Sequence, residues 1–316
     1  MRIEMSLNGR WKFCPAFDTI STDQRWLAPD FDPEHPDLTP QADAVGWIAP
    51  GFDDTGWLDI MVPGSWNSEF EDLWSYEGHG WFRRTVSIPH EWNGRRVEFT
   101  SEGANYRTVL YVNGELAGEH DGGYTPFAIP VHHLLRFGEV NTFAIVCDNI
   151  PKKDRVPGGQ FDWWNHGGLY RDVALRVTNT VYIDDVTVVT RLPETGGAEI
   201  SVTVSARSEG ELITNRVVTV QLVDPSGEEV ELSRSARSQM LKTQNGNAVA
   251  ELVIPVEAPL LWSPDEPHLY RLGVSIVDTT TNHEVDAQNL RIGLREIRVE
   301  GTRLLLNGRP LIVKGV

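Results

Sequence analysis

The stretch RTVLYVNGELAGEH (107–120) decides how this chain folds. Two short apolar runs flank Asn113-Gly114, and Asn followed by Gly supplies the positive φ angles of a type I′ turn. The pair is the strongest hairpin signal in the sequence. RRTVSIP (83–89), RRVEFTSE (95–102) and NTFAIVCDN (141–149) continue the pattern. Each is an alternating or short continuous apolar run bounded by Gly, Pro or Asn, which reads as a strand. No segment sustains a 3.6-residue apolar period. Short helical turns are predicted in 67–74 and 131–136, and no long helix.

The later part repeats the pattern with other residues. VYIDDVTVVTRL (181–192), AEISVTVSARS (198–208), RVVTVQLVDPSG (216–227), NAVAELVIPV (247–256) and HLYRLGVSIVD (268–278) read as about five strands. Such a run over roughly 100 residues suggests an immunoglobulin-like sandwich, here without the Cys–Trp–Cys spacing. Composition also changes near residue 180. Of 11 tryptophans, all but Trp262 lie at or before Trp164. The chain therefore divides into two domains near residue 180, as its 316 residues suggest at roughly 150 per domain. The last stretch carries another Asn-Gly turn at 307–308 and ends in the apolar run LIVKGV (311–316). A strand of that kind needs a covering partner. Either it pairs back into the second sandwich or it opens a third domain.

With 28 Lys plus Arg against 45 Asp plus Glu, the formal net charge is −17. That charge argues against nucleic acid, whose binding draws on cations against phosphates, and against an anionic membrane surface. No apolar run approaches the roughly 20 residues of a spanning helix. The N-terminus, MRIEMSLNGRWKF, has no apolar signal region, so a cytoplasmic location is expected. Cys14 and Cys147 read as small buried hydrophobes rather than a metal site, and a bridge between them stays open. Neither metal-ligand spacing nor a phosphate loop is present, so no cofactor is expected.

Several motifs occur together in a fixed order: VPGSWNSEFEDLWSYEGHGWFRRTVSIP (62–89), GGYTPF (122–127), FDWWNHGGLYRDVAL (161–175), YIDDVTVVT (182–190) and IGLREIRVEGTRLLLNGRPLIVKGV (292–316). In these the chain resembles the N-terminal part of glycoside hydrolase family 2, β-glucuronidases first and β-galactosidases second. The resemblance implies an all-β fold: a jelly-roll sugar-binding-type sandwich over 1–180, then an immunoglobulin-like sandwich over 181–294. Residues 295–316 would lead into a catalytic (β/α)8 barrel that is missing here. The parent would be a retaining hydrolase of terminal β-glycosides with no cofactor. Its partners would be a carbohydrate substrate, its own C-terminal barrel and further copies of itself. The catalytic glutamates would stand on the barrel, so this chain holds no catalytic residue and is expected to be inactive alone. A free-standing carbohydrate-binding or interaction module is the rival outside the enzyme class.

The site candidates cluster in two loops. Read from the residues alone, Phe161, Trp163 and Trp164 are packing aromatics and Asp162 caps a turn. The resemblance reverses this for Asp162, which matches a family residue contacting substrate hydroxyls. Carboxylates beside aromatic faces suit sugars. Trp163, Asn165 and His166 join it as substrate-binding candidates. Asn67 and Tyr76, in the loop from Trp66 to Trp81, complete the set. Glu69, Glu71, Asp72 and Glu77 read as a solvated acidic loop rather than a catalytic carboxyl pair.

Overall fold

The computed structural model describes residues 2–16, 46–153, 155–156, 163–210, 213–244 and 247–313. These form two compact units: Ile3–Val177, and Met1–Arg2 with Thr178–Val316. The all-β expectation is borne out, as are both sandwich types.

The first unit is built from β1 (Ile3–Ser6), β2 (Gly9–Ala16), β3 (Leu58–Val62), the single-turn helix α1 (Trp66–Glu69), β4 (His79–Ser87), β5 (Arg96–Ser101), β6 (Arg107–Val112), β7 (Glu115–Asp121), β8 (Phe127–Pro130), β9 (Val140–Asp148) and β10 (Val173–Thr178). One sheet has the order β1-β10-β5-β8 and the other β3-β2-β4-β9-β6-β7. Between them lies a core that includes Trp11, Phe13, Phe82, Phe99, Leu110 and Phe143. The predicted hairpin joins β6 to β7, with Asn113 at φ 54° and Gly114 at φ 90°. Helical turns appear at 66–73, whereas 132–134 is a plain turn.

The central strands β4, β9 and β6 of the six-stranded sheet bury both faces over much of their length. In β4, Phe82 enters the sandwich core, while Trp81 enters a smaller core behind the sheet with Tyr111, Ala144 and Val146. The same division sends Ile145 one way and Val146 the other, which is why β9 reads as a continuous apolar run. The turn segment from Gly46 to Trp57 covers the rear core. Arg83 straps it down: its guanidinium donates to Asp54 Oδ2 (3.0 Å) and to the carbonyls of Trp47 and Ala49, and lies 5.3 Å from the Phe52 ring centroid.

The second unit contains β11 (Val181–Arg191), β12 (Ala198–Ser208), β13 (Arg216–Val223), the helical turn α2 (Arg234–Arg237), β14 (Ser238–Met240), β15 (Lys242–Gln244), β16 (Asn247–Val256), β17 (Tyr270–Asp278) and β18 (Glu284–Ile292). The sheets β11-β12-β16-β15 and β14-β13-β17-β18 form a second sandwich. Alternation in β12 is strict: Ala198, Ile200, Val202, Val204 and Ala206 are buried, and the residues between them are not. A small meander of β19 (Ile297–Glu300), β20 (Arg303–Leu306) and β21 (Arg309–Pro310) follows. Its second turn is Asn307-Gly308, both with positive φ. No helix of the described residues is long and apolar enough to cross a membrane.

Candidate functional site

The loop from Trp163 to Tyr170 is shaped by two glycines that need no Cβ. A Cβ on Gly167 would lie 2.0 Å from Trp66 Cζ2, so only glycine lets this backbone press on the buried indole. Gly168 has φ +117° and bridges Asn105, with each backbone amide donating to the other's carbonyl.

Four asparagines hold this loop. Asn67 sits in α1, whose N-cap Ser65 accepts from the Asn67 amide through Oγ. Asn67 Oδ1 accepts from the Gly167 amide at 2.8 Å, and its Nδ2 donates to the carbonyls of Leu73 (3.0 Å) and Tyr76 (2.9 Å). Asn149, buried at the end of β9, donates to the Asn165 carbonyl at 2.6 Å and accepts from the Gly78 amide at 2.8 Å. Asn165 donates back to the Asn149 carbonyl. Asn105 donates to Asn165 Oδ1 at 3.0 Å and to the His166 carbonyl at 2.6 Å. Buried amides satisfied on both oxygen and nitrogen fix a backbone more firmly than any single bond.

The two candidate loops thus meet, but their residues separate into braces and lining. Asn67 and Tyr76 are buried. The Tyr76 hydroxyl lies 3.0 Å from the carbonyls of Ala16 and His79, so its polar end is turned to backbone. Trp163, Asn165 and His166 line a groove of about 440 Å³, with His166 Nδ1 3.4 Å from Ser65 Oγ. Asp162 lies outside the described residues. Glu69 accepts from the Met61 amide, a local tie for one member of the acidic cluster.

Other groove residues were not among the binding candidates, and the sequence reads Trp164 as a packing aromatic. Tyr124 and Tyr170 add two aromatic walls. Burial pushes the Tyr170 phenol above its ordinary pKa, and its hydroxyl donates to the Gly123 carbonyl. Trp164 is half-exposed and meets Trp74 edge-on, with ring centroids 4.7 Å apart. Asn105 and Asn149 carried one available signal: an asparagine directly beside an apolar strand has an amide to satisfy. Among the described residues, no group of three or more His, Cys, Asp or Glu is placed to hold a metal ion.

The chain matches the family model "Glycosyl hydrolases family 2, sugar binding domain" over residues 4–179 and "Glycosyl hydrolases family 2" over residues 181–295. A β-galactosidase of Thermoanaerobacter pseudethanolicus is 31% identical over 275 residues, which cover 84% of this chain and 35% of that protein. The β-glucuronidase of Paenibacillus borealis is 28% identical over 280 residues, covering 82% of this chain and 43% of that one. The structure of a β-glucuronidase from Ruminococcus gnavus in complex with D-glucaro 1,5-lactone superposes with a TM-score of 0.75 at 25% identity, over 99% of this chain and 49% of that one. The chain spans less than half the length of these relatives. With the sugar-binding-domain match alone spanning more than half of its residues, the chain belongs to glycosyl hydrolases family 2.

Proposed function

We propose that this chain supplies the N-terminal sandwich portion of a retaining β-glycosidase that hydrolyses terminal β-glucuronides. Residues 1–180 would be its sugar-binding-type domain and 181–294 its immunoglobulin-like domain, with 295–316 leading into a catalytic barrel of the longer protein. Retention requires two carboxyl groups about 5–5.5 Å apart across the scissile bond, and that pair is assigned to the barrel. The sandwich portion would support the barrel, take part in a homo-oligomer and lend the loop of Asp162, Trp163, Asn165 and His166 to the substrate pocket. The observation that carries this reading is the match of both family models in sequence order, joined by β-glucuronidases among the relatives. A β-galactosidase is the second reading, favoured by the 31% identity to the Thermoanaerobacter enzyme.

The test is turnover of 4-nitrophenyl β-glucuronide and β-galactoside by the full-length protein. Faster hydrolysis of the glucuronide, with retained configuration at the anomeric carbon, supports the first reading. A preference for the galactoside supports the second, and turnover of neither substrate overturns both. The 316-residue chain alone is expected to turn over neither, and measurable hydrolysis by it would place the carboxyl pair within these residues. In the full-length enzyme, Asp162→Ala is expected to lower kcat/KM. An unchanged value would remove Asp162 from the pocket.

A further inference from the structure

Five asparagines stand directly before a glycine: Asn8, Asn93, Asn113, Asn245 and Asn307. Glycine has no Cβ to shield its own backbone nitrogen, so in an Asn-Gly pair that nitrogen has an open path to the asparagine side-chain amide. Asn245-Gly246 lies outside the described residues. Three of the other four asparagines are half-buried and held at both amide atoms. Asn8 Nδ2 donates to Asp172 Oδ1 and its Oδ1 accepts from the Val173 amide, each at 3.0 Å. Asn113 Nδ2 donates to the Leu134 carbonyl (2.9 Å) and to Asn141 Oδ1 (2.7 Å), and its Oδ1 accepts from the Thr142 amide (3.0 Å). Asn307 Nδ2 donates to the Trp262 carbonyl and its Oδ1 accepts from the Glu296 amide, each at 3.0 Å.

Asn93 differs from all three. It is exposed, and its side chain has no hydrogen-bond partner among the described residues. It follows the helical turn His90–Trp92 and forms with Gly94 the tip of a type II turn. Asn93 has φ −59° and ψ 133°, Gly94 has φ +79°, and the Arg95 amide closes the turn on the Trp92 carbonyl at 3.0 Å. The Gly94 amide has no partner among the described residues. We propose that Asn93-Gly94 is a site of spontaneous deamidation, left open by the fold while the three tied pairs are protected. Solvent base takes the Gly94 amide proton, the nitrogen attacks Asn93 Cγ, and the Cγ–Nδ2 bond breaks with Nδ2 leaving as ammonia. Water then opens the cyclic imide. Cleavage at Cγ gives aspartate, and cleavage at the main-chain carbonyl carbon of residue 93 gives isoaspartate. One water enters and one ammonia leaves. Either product adds a carboxylate. Isoaspartate also routes the chain through Cγ, so the turn closed by Trp92 and Arg95 gains one backbone carbon at the entry to β5.

Incubation of the 316-residue chain in mildly alkaline buffer, followed by peptide mass spectrometry, tests the proposal. Deamidation replaces an NH2 by an OH, and the heavier peptide reports the site. A tied asparagine must first lose its side-chain hydrogen bonds, so Asn93 is expected to react about tenfold faster than Asn8, Asn113 or Asn307 in the folded chain. In guanidinium, where every pair is released, the four rates are expected to converge. Circular dichroism checks that the chain stays folded through the native incubation. Asn93→Gln, whose longer side chain closes a ring less readily, should remove the modification from that peptide and leave the rates at the tied pairs unchanged. Equal rates in the folded chain, a faster rate at any tied pair, or an undiminished lead for Asn93 in guanidinium would overturn the proposal. The outcome is independent of whether the full-length protein hydrolyses a β-glycoside.

Discussion

Arg2 and Asp286 are 284 positions apart in the chain, and the Arg2 guanidinium lies 2.8 Å from Asp286 Oδ2 and 3.3 Å from Oδ1. Asp286 is fully buried in the second unit, and its Oδ2 also accepts from the Ile183 amide at 2.8 Å. Arg2 donates in turn to the Ile183 carbonyl. A buried carboxylate with these partners is satisfied. Without Arg2 it keeps, among the described residues, one hydrogen bond and no counter-charge. Arg2→Met should destabilise the second unit by roughly 2–3 kcal/mol, below the full loss for a buried pair because Arg2 is partly solvated. Urea unfolding followed in that unit checks the value. The double variant Arg2→Met with Asp286→Leu should recover part of the loss, since it removes the stranded charge. If the double variant is as unstable as Arg2→Met alone, the charge is not the cause.

Gly167→Ala should be among the most damaging single-methyl additions in the first unit. The added carbon would meet the Trp66 ring at 2.0 and 2.4 Å, and Trp66 is wholly buried against Phe13 and Phe82. Neither backbone nor indole has room to move, so a loss of about 3 kcal/mol is expected by chemical denaturation. Gly56→Ala is the control. Its Cβ would meet nothing within 4 Å, so a change below about 0.5 kcal/mol is expected.

Glu98 makes the first unit sensitive to acid. Burial raises its carboxyl pKa, but hydrogen bonds and charge from Arg96 and Arg176 outweigh burial and hold it below its ordinary value. Arg176 reaches the same carboxylate oxygen through Nε (3.1 Å) and Nη2 (2.9 Å). A group whose pKa is depressed on folding stabilises the protein above its unfolded pKa, near 4.3, and that stability is lost as pH falls through the folded value. The difference in Tm between the wild-type chain and Glu98→Gln should therefore be steady above about pH 5 and shrink below about pH 4. A difference independent of pH would show that Glu98 acts by packing alone.

The two thiols should differ in reactivity. Burial, aided by the Asp148 charge and partly offset by the Thr108 hydroxyl, pushes Cys147 up to about 12. Cys14 is half-buried and also raised by burial. The thiolate is the reacting species. An aromatic disulfide reagent at neutral pH should leave Cys147 untouched in the folded chain, and both cysteines should react after unfolding in guanidinium. Rapid labelling of Cys147 in the native state would indicate that β9 opens locally.

The sequence carried the local parts of this fold because turn chemistry and alternation are written residue by residue. Asn113-Gly114 and Asn307-Gly308 adopt the positive φ angles their turns need, and β12 buries every second residue from Ala198 to Ala206. Long-range partnerships carry no such mark. Arg2 and Asp286 look like two ordinary surface charges until the chain folds. In the site, the sequence singled out two loops that the structure brings together, but not the division of labour within them. Asn67 and Tyr76 each stand beside one exposed serine in sequence, yet both are buried, one bonded to Gly167 and the other to backbone carbonyls. Trp164 read as packing because indoles usually are, and it does meet Trp74 edge-on, yet more than half of its surface stays exposed.

The small core behind the six-stranded sheet has a consequence for where chemistry can happen. Trp81, Tyr111 and Val146 fill the rear face, and Arg83 ties the segment from Gly46 to Trp57 over them. That sheet is therefore dry on both sides over these strands. A ligand cannot lie across its middle, as it does in proteins that offer an open sheet face. It can approach only where strands give way to loops, at the ends of β9 and beyond, and there the asparagine-braced loop meets solvent. The fold leaves its rim as the place where specificity can change without disturbing either core.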